Sequence, residues 1–243
     1  GATEAADADG APDLAAPPTG SSLAIRPDVL RTALPVLLRG AVVTLELTTL
    51  TLLIGVPLGL LIALARISGF ALLRLPATGY VEAVRGTPLL MQIYVIYFVL
   101  PAVGVSVPPF VAGVMALSLN AAAYVSEIFR AGIESIDSGQ MEAARALGMT
   151  GGQAMRHVLL PQTVRRVLPP LTNEAVALLK DSSLVSVVAL AELMRRGKEL
   201  AGTSAAPTTI FLAVALLYLA MTLPLTSLVR YLEFRWQPVR RTR

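Results

Sequence analysis

Lys180, Asp181, Ser182 and Ser183 interrupt a predominantly apolar segment over residues 167–194. Hydrophilic groups inside such a segment do not face lipid; they face protein or a water-filled path. Opposite charges at that point can meet a ligand that carries one carboxylate and one ammonium, with the hydroxyls of Ser182 and Ser183 completing the site. They can equally neutralise one another or an adjacent helix end. Asn173 and Glu174, about two turns earlier on the same segment, are secondary candidates. Asn120 and Tyr124 are four residues apart, so their polar groups lie on one helical face. Gln92 is one turn inside the segment that Thr87 and Pro88 open, and proline at an early helix position costs little. Glu127 and Arg130, three apart, read as a structural ion pair. Hydrolytic chemistry has no support: Ser182 and Ser183 have no histidine base nearby, and no pair of carboxylates shares an obvious pocket. With no cysteine and one histidine, His157, a disulfide, a thiolate metal site and a multi-histidine site are excluded, and His157 is expected at a surface.

These side chains need a membrane scaffold. Hydrophobic residues make up 55% of the 243 and the mean hydropathy is +0.68, well above that of a soluble domain. The excess of 20 Lys plus Arg over 16 Asp plus Glu does not point to nucleic acid, because the basic residues cluster at span ends. Apolar runs at residues 41–65, 88–103, 109–129, 167–194 and 208–229 predict an all-α integral membrane protein with about five transmembrane helices, each long enough for a hydrocarbon core of about 30 Å. Residues 70–84, which contain Arg74, either lie along the membrane or enter it partly. Glu46, near the outer end of the first span, is expected to reach the interface or pair with a neighbouring subunit. Residues 195–207 read as a loop. Residues 1–24, rich in Ala, Pro, Gly and Asp, predict a disordered tail, and residues 237–243 a basic one, around a membrane domain at 25–236.

Between the third and fourth runs, residues 138–161 form the only long polar interruption that itself reads as helix. Asp137 or Ser138 can cap a first helix, Gly148 can close it in a left-handed conformation, Thr150 with Gln153 looks like a capping box, and Pro161 bounds the helix that follows. A short helix with a tight glycine turn is stiff, so a push on its tip moves the flanking spans. If this loop is cytoplasmic, most of the basic residues fall on the inner side, as the positive-inside rule requires, with the N-terminus outside and the C-terminus inside.

Glu142, Ala143, Ala144 and Gly148, followed by Val158, Leu160 and Pro161, resemble the EAA loop of ATP-binding-cassette importer permeases. The stretches RGTPLLMQ (85–92), AAAYVSEIFRAGI (121–133) and LKDSSL (179–184) resemble segments of the polar amino-acid uptake branch of that family, and together the likeness covers residues 44–233. The resemblance implies that 138–161 is a cytoplasmic coupling helix-turn-helix docking on a separate ATPase subunit. It also implies a second permease copy or homologue, an extracytoplasmic substrate-binding protein, a polar amino-acid substrate moved by alternating access, and a cytoplasmic-membrane location. The chain has no G-x-x-x-x-G-K-[ST] phosphate loop, since Gly197-Lys198 is followed by Glu199; ATP is then bound by the partner and no cofactor by this chain. The competing reading is an ion-coupled secondary transporter using Lys180 and Asp181 as a coupling pair. It would need inverted repeats with paired broken helices, and the sequence shows one break.

Overall fold

A computed structural model describes residues 25–236; the expected tails at 1–24 and 237–243 lie outside them. The described residues are mostly helical, with no strand among them. Helix α1, Pro27–Ile67, has 41 residues and measures about 60 Å at 1.5 Å per residue, twice a hydrocarbon core. It begins well before the expected span because its first turns are amphipathic. Ala33, Leu37 and Ala41 are buried against Leu193, Ile210 and Val214, while Arg31 and Arg39 stay exposed. Farther along, Gly55 and Gly59 lie against Ala121 and Val125 of α4, Pro109–Glu134.

Residues 70–84 resolve into α2, Ala71–Arg85, and the expected second span is irregular. Leu89–Tyr94 (α3) passes into a π-turn at Val95–Val99 and a 3₁₀ turn at Leu100–Val103. Pro101 has no N–H to continue an α ladder, and Gly104 closes the segment at φ 88°. α2 and 89–103 meet at 105°, so they are a broken span or a re-entrant pair. By length and apolarity, α1, α4 and α9, Pro207–Trp236, are candidate spans, and the bent pair makes up to four among the described residues.

The segment expected as a fourth span differs most. It is not one helix: α7, Leu160–Asp181, gives way to a 3₁₀ segment at Ser182–Val188, and the chain then turns through Ala189 at φ 59°. α7 is too polar to stand in lipid alone and packs against α4 and α9. Residues 195–207, expected as a loop, belong largely to α8, Leu193–Thr203. Glu192 starts it by accepting from the backbone N–H of Met194 (2.7 Å) and Arg195 (2.6 Å), and Glu199 pairs with Arg195 and Arg196 on its exposed side. One apolar core gathers Leu47, Ile93, Ala116, Leu117 and Val185, where α1, α3, α4 and the 3₁₀ segment meet.

Candidate functional sites

The loop between α4 and α7 folds as a helical hairpin. Helix α5, Ser138–Ala146, is capped by Asp137, whose carboxylate accepts from the Gly139 N–H at 2.7 Å. It ends in a Schellman turn: the Gly148 N–H donates to the Arg145 carbonyl (2.9 Å) and the Met149 N–H to the Ala144 carbonyl (3.1 Å), with Gly148 at φ 82°. Thr150 and Gln153 form a reciprocal capping box at the start of α6, Gly151–Ala154. The Gln162 amide then donates to Gln140 and to the Val158 carbonyl, tying the second arm to the first.

Two expectations for this loop change. Pro161 does not bound a helix. The chain runs from α6 through a π-turn at Met155–Leu159 into α7, and that wider turn accommodates a ring with no proton to offer the carbonyl four residues back. Ala144 is buried inside the hairpin, so the outward surface toward the end of α5 and its cap is made by Glu142, Ala143, Arg145, Ala146 and Leu147. Leu147 is 80% exposed, a bulky apolar side chain at the tip that the tripeptide pattern did not single out. His157 is at the surface, against the Gln153 carbonyl.

Near the middle of α4 lies a cavity of about 460 Å³, whose walls include Arg85, Thr87, Pro88, Asn120, Tyr124, Glu174 and Asp181. Three elements supply it: the end of α2 with the bend that follows, the middle of α4, and α7. Of the candidates read from sequence, Asn120, Tyr124, Glu174 and Asp181 come together. Glu174 and Asp181 are seven residues apart, two turns on one face, so two carboxylates do share a pocket, contrary to the expectation. The expected partnership of Lys180 with Asp181 at the site does not form. Successive helical residues point about 100° apart, and Lys180 is exposed and lines no part of the cavity. Asn173 is exposed and outside it for the same reason. Ser182 is buried with its hydroxyl donating to the Leu179 carbonyl at 2.6 Å, and Ser183 is not on the cavity wall.

The cation of the cavity is Arg85, which the sequence presents only as the first residue of the stretch at 85–92. Its guanidinium lies 5.4 Å from the Tyr124 ring centroid and 3.7 Å from the Glu127 carboxylate. Glu127 pairs with Arg130 as expected and also receives Arg66 of α1 at 2.6 Å, so one carboxylate gathers arginines from three helices beneath the cavity. Gln92 stands behind the wall, donating to the Val84 and Thr87 carbonyls and accepting from Asn120. Glu46 lies near the middle of α1, exposed rather than at an end.

A second polar cluster was not legible in the sequence. Glu192 is fully buried and, besides capping α8, accepts from the Tyr218 hydroxyl of α9 at 3.1 Å. Thr44 of α1 accepts from the Leu193 N–H at 3.1 Å beside it. No group of three or more possible metal-ligating side chains occurs among the described residues.

Residues 55–238 match the family model described as binding-protein-dependent transport system inner membrane component. The probable glutamine ABC transporter permease protein GlnM of Bacillus subtilis (strain 168) is 43% identical over 178 residues, 73% of this chain and 82% of that one. The arginine transport system permease protein ArtQ of the same organism is 39% identical over 201 residues, 82% of this chain and 92% of that one. The crystal structure of an amino acid ABC transporter with histidines contains a chain of 41% identity that superposes with a TM-score of 0.82, covering 88% of this chain and all of that one. These relatives displace the ion-coupled alternative. The chain belongs to the family of binding-protein-dependent transport system inner membrane components, as a multi-pass inner-membrane permease subunit and not the ATPase.

Proposed function

We propose that this permease carries a polar amino acid through the cavity beside α4, and that the α5–α6 hairpin takes its drive from a cytoplasmic ATP-binding subunit. The observation that supports it most is the placement of Arg85 opposite Glu174 and Asp181 in one cavity. A free amino acid carries a carboxylate for the guanidinium and an ammonium for a carboxylate, and the oxygen of Asn120 and the ring of Tyr124 add neutral contacts. Relatives named for glutamine and for arginine fit that class of cargo. ATP is bound by the partner, and a soluble binding protein delivers substrate from outside.

The topology that serves this function has five crossings, with α2–α3 as the broken second and α7 with its 3₁₀ continuation as the fourth. It places the N-terminus outside, the C-terminus and the α5–α6 hairpin inside. One open cavity on one copy becomes a closed path only when a second permease copy or homologue faces it. Small exposed groups on α5, Ala143 next to Glu142, let the ATPase surface seat closely, with Leu147 as an apolar anchor.

The test is uptake by the assembled transporter in lipid vesicles, across cationic, neutral and acidic amino acids, with Asp181→Asn and Glu174→Gln. We expect the KM for the transported amino acid to rise about tenfold or more in each, as when a charge-assisted hydrogen bond worth about 1.5–3 kcal/mol is lost. Assembly with the ATPase should be intact. Unchanged kinetics over the whole panel would remove both carboxylates from the pathway.

A further inference from the structure

Between α2 and α3 the chain breaks at residues 86–88 inside the membrane domain, and the break leaves the Thr87 carbonyl with no backbone donor and the Val84 carbonyl with only long bonds from Thr87, its N–H at 3.5 Å and its Oγ1 at 3.4 Å. In a continuing helix the Val84 carbonyl would accept from the N–H of residue 88, which is proline and has none. The Thr87 carbonyl is passed over, because the N–H groups of Met91 and Gln92 both donate to the Pro88 carbonyl, at 2.9 and 3.2 Å. Unpaired carbonyls are costly where water is scarce. One side chain serves both: Gln92 Nε2 donates to the Val84 carbonyl at 2.8 Å and to the Thr87 carbonyl at 3.1 Å, and lies 3.0 Å from Thr87 Oγ1. At its other end Gln92 Oε1 accepts from Asn120 Nδ2 at 3.1 Å.

Gln92 itself is not on the cavity wall. It lines the apolar groove on the far side, with Tyr80, Met91 and Leu119. The residues it holds are on the wall: Thr87, the turn that carries Arg85, and Asn120. With its donor committed to Gln92, Asn120 keeps its carbonyl oxygen without a hydrogen-bond partner among the described residues. We propose that Gln92 is a positioning residue for transport, supplying the short hydrogen bonds that the backbone of the bend does not and thereby aiming Arg85 and Asn120 at the substrate without touching it. The inference rests on the reading of the cavity as the substrate site.

The experiment measures uptake KM and maximal rate for the assembled transporter in vesicles, with detergent melting temperatures alongside. The variants are Gln92→Leu, Gln92→Asn, Asn120→Ala and the double Gln92→Leu/Asn120→Ala. Losing an orienting hydrogen bond raises KM about tenfold in Gln92→Leu. Gln92→Asn, with the same amide one methylene shorter, gives a smaller rise and serves if the leucine variant fails to insert. Because both residues act on one wall, the double variant falls well short of the product of the single effects. A KM within twofold of wild type in Gln92→Leu and Gln92→Asn, with only melting lowered, overturns the inference, and so does full multiplicativity in the double variant. If Asn120→Ala shifts KM and the Gln92 variants do not, the positioning role alone fails. If none shifts it, the cavity reading fails and takes the inference with it.

Discussion

Gly148 allows a conformational effect to be separated from a contact effect at the coupling hairpin. Its φ of 82° is the left-handed region, and a Cβ built there meets nothing within 4 Å. Within this chain, the cost of a side chain at 148 is therefore purely conformational. For an ordinary residue that is about 1–2 kcal/mol, with alanine at the lower end, a β-branched residue at the upper end, and asparagine close to glycine. If the ATPase binds only the hairpin with its Schellman turn closed, that energy appears directly in the affinity: about fivefold weaker for Gly148→Ala, about thirtyfold for Gly148→Val, and about twofold or less for Gly148→Asn. The assay is binding of the ATPase subunit to permease variants in lipid nanodiscs, with ATP hydrolysed per amino acid transported measured for the same variants in lipid vesicles. Equal affinity across glycine, alanine and valine would refute the dependence on a closed turn. Asparagine as damaging as valine would refute the conformational account and put the partner's surface directly over position 148.

Two further outcomes follow from the polar clusters. Glu127→Ala leaves Arg66, Arg85 and Arg130 facing one another without their shared carboxylate, and should lower stability by about 2 kcal/mol in detergent unfolding; a change below about 0.5 kcal/mol would show that solvent already screens the cluster. Tyr218→Phe removes one of three hydrogen bonds to the buried Glu192 and should cost about 1.5 kcal/mol in the same measurement, whereas no loss would mean that the backbone N–H groups of Met194 and Arg195 suffice.

The coupling hairpin was nearly complete in the sequence because its signals are local. Asp137, Gly148, Thr150 and Gln153 each act on backbone within three residues, so spacing alone gives the geometry. Pro161 misled because a proline reads as a boundary unless the preceding turn widens, and widening leaves no mark in composition. The cavity was half legible. Asn120 with Tyr124 is a helical-face argument and held, while Lys180 with Asp181 was an adjacency argument and did not, since neighbours in sequence diverge on a helix. Arg85 and the Glu192–Tyr218 contact depend on which helices pack together, and no periodicity within one segment reports that. The same holds for α8, whose amphipathic face has meaning only against the first turns of α1 and of α9.

The hairpin and the cavity are joined by the helices they share. α4 carries Asn120 and Tyr124 and runs within three residues of α5; α7 carries Glu174 and Asp181 and continues directly from the hairpin's second arm. At the ends next to the hairpin these two helices are clamped together. Arg166 donates to both the carbonyl and the hydroxyl of Ser135, and Gly132 meets Val167 so closely that a Cβ would overlap its methyl. Displacement of the hairpin tip is therefore carried by α4 and α7 as one body, and does not pry Asn120 away from Asp181. The α2–α3 bend meets that body through the Arg85–Glu127 contact at 3.7 Å, the Gln92–Asn120 hydrogen bond at 3.1 Å, the Tyr80 hydroxyl on the Leu119 carbonyl, and Ile93 in the core shared with α4 and the 3₁₀ segment. The site's one cation thus sits on a different element from the helix that carries its two carboxylates. In the proposed mechanism, the distance between that cation and those carboxylates is the quantity that sets how tightly a zwitterion is held.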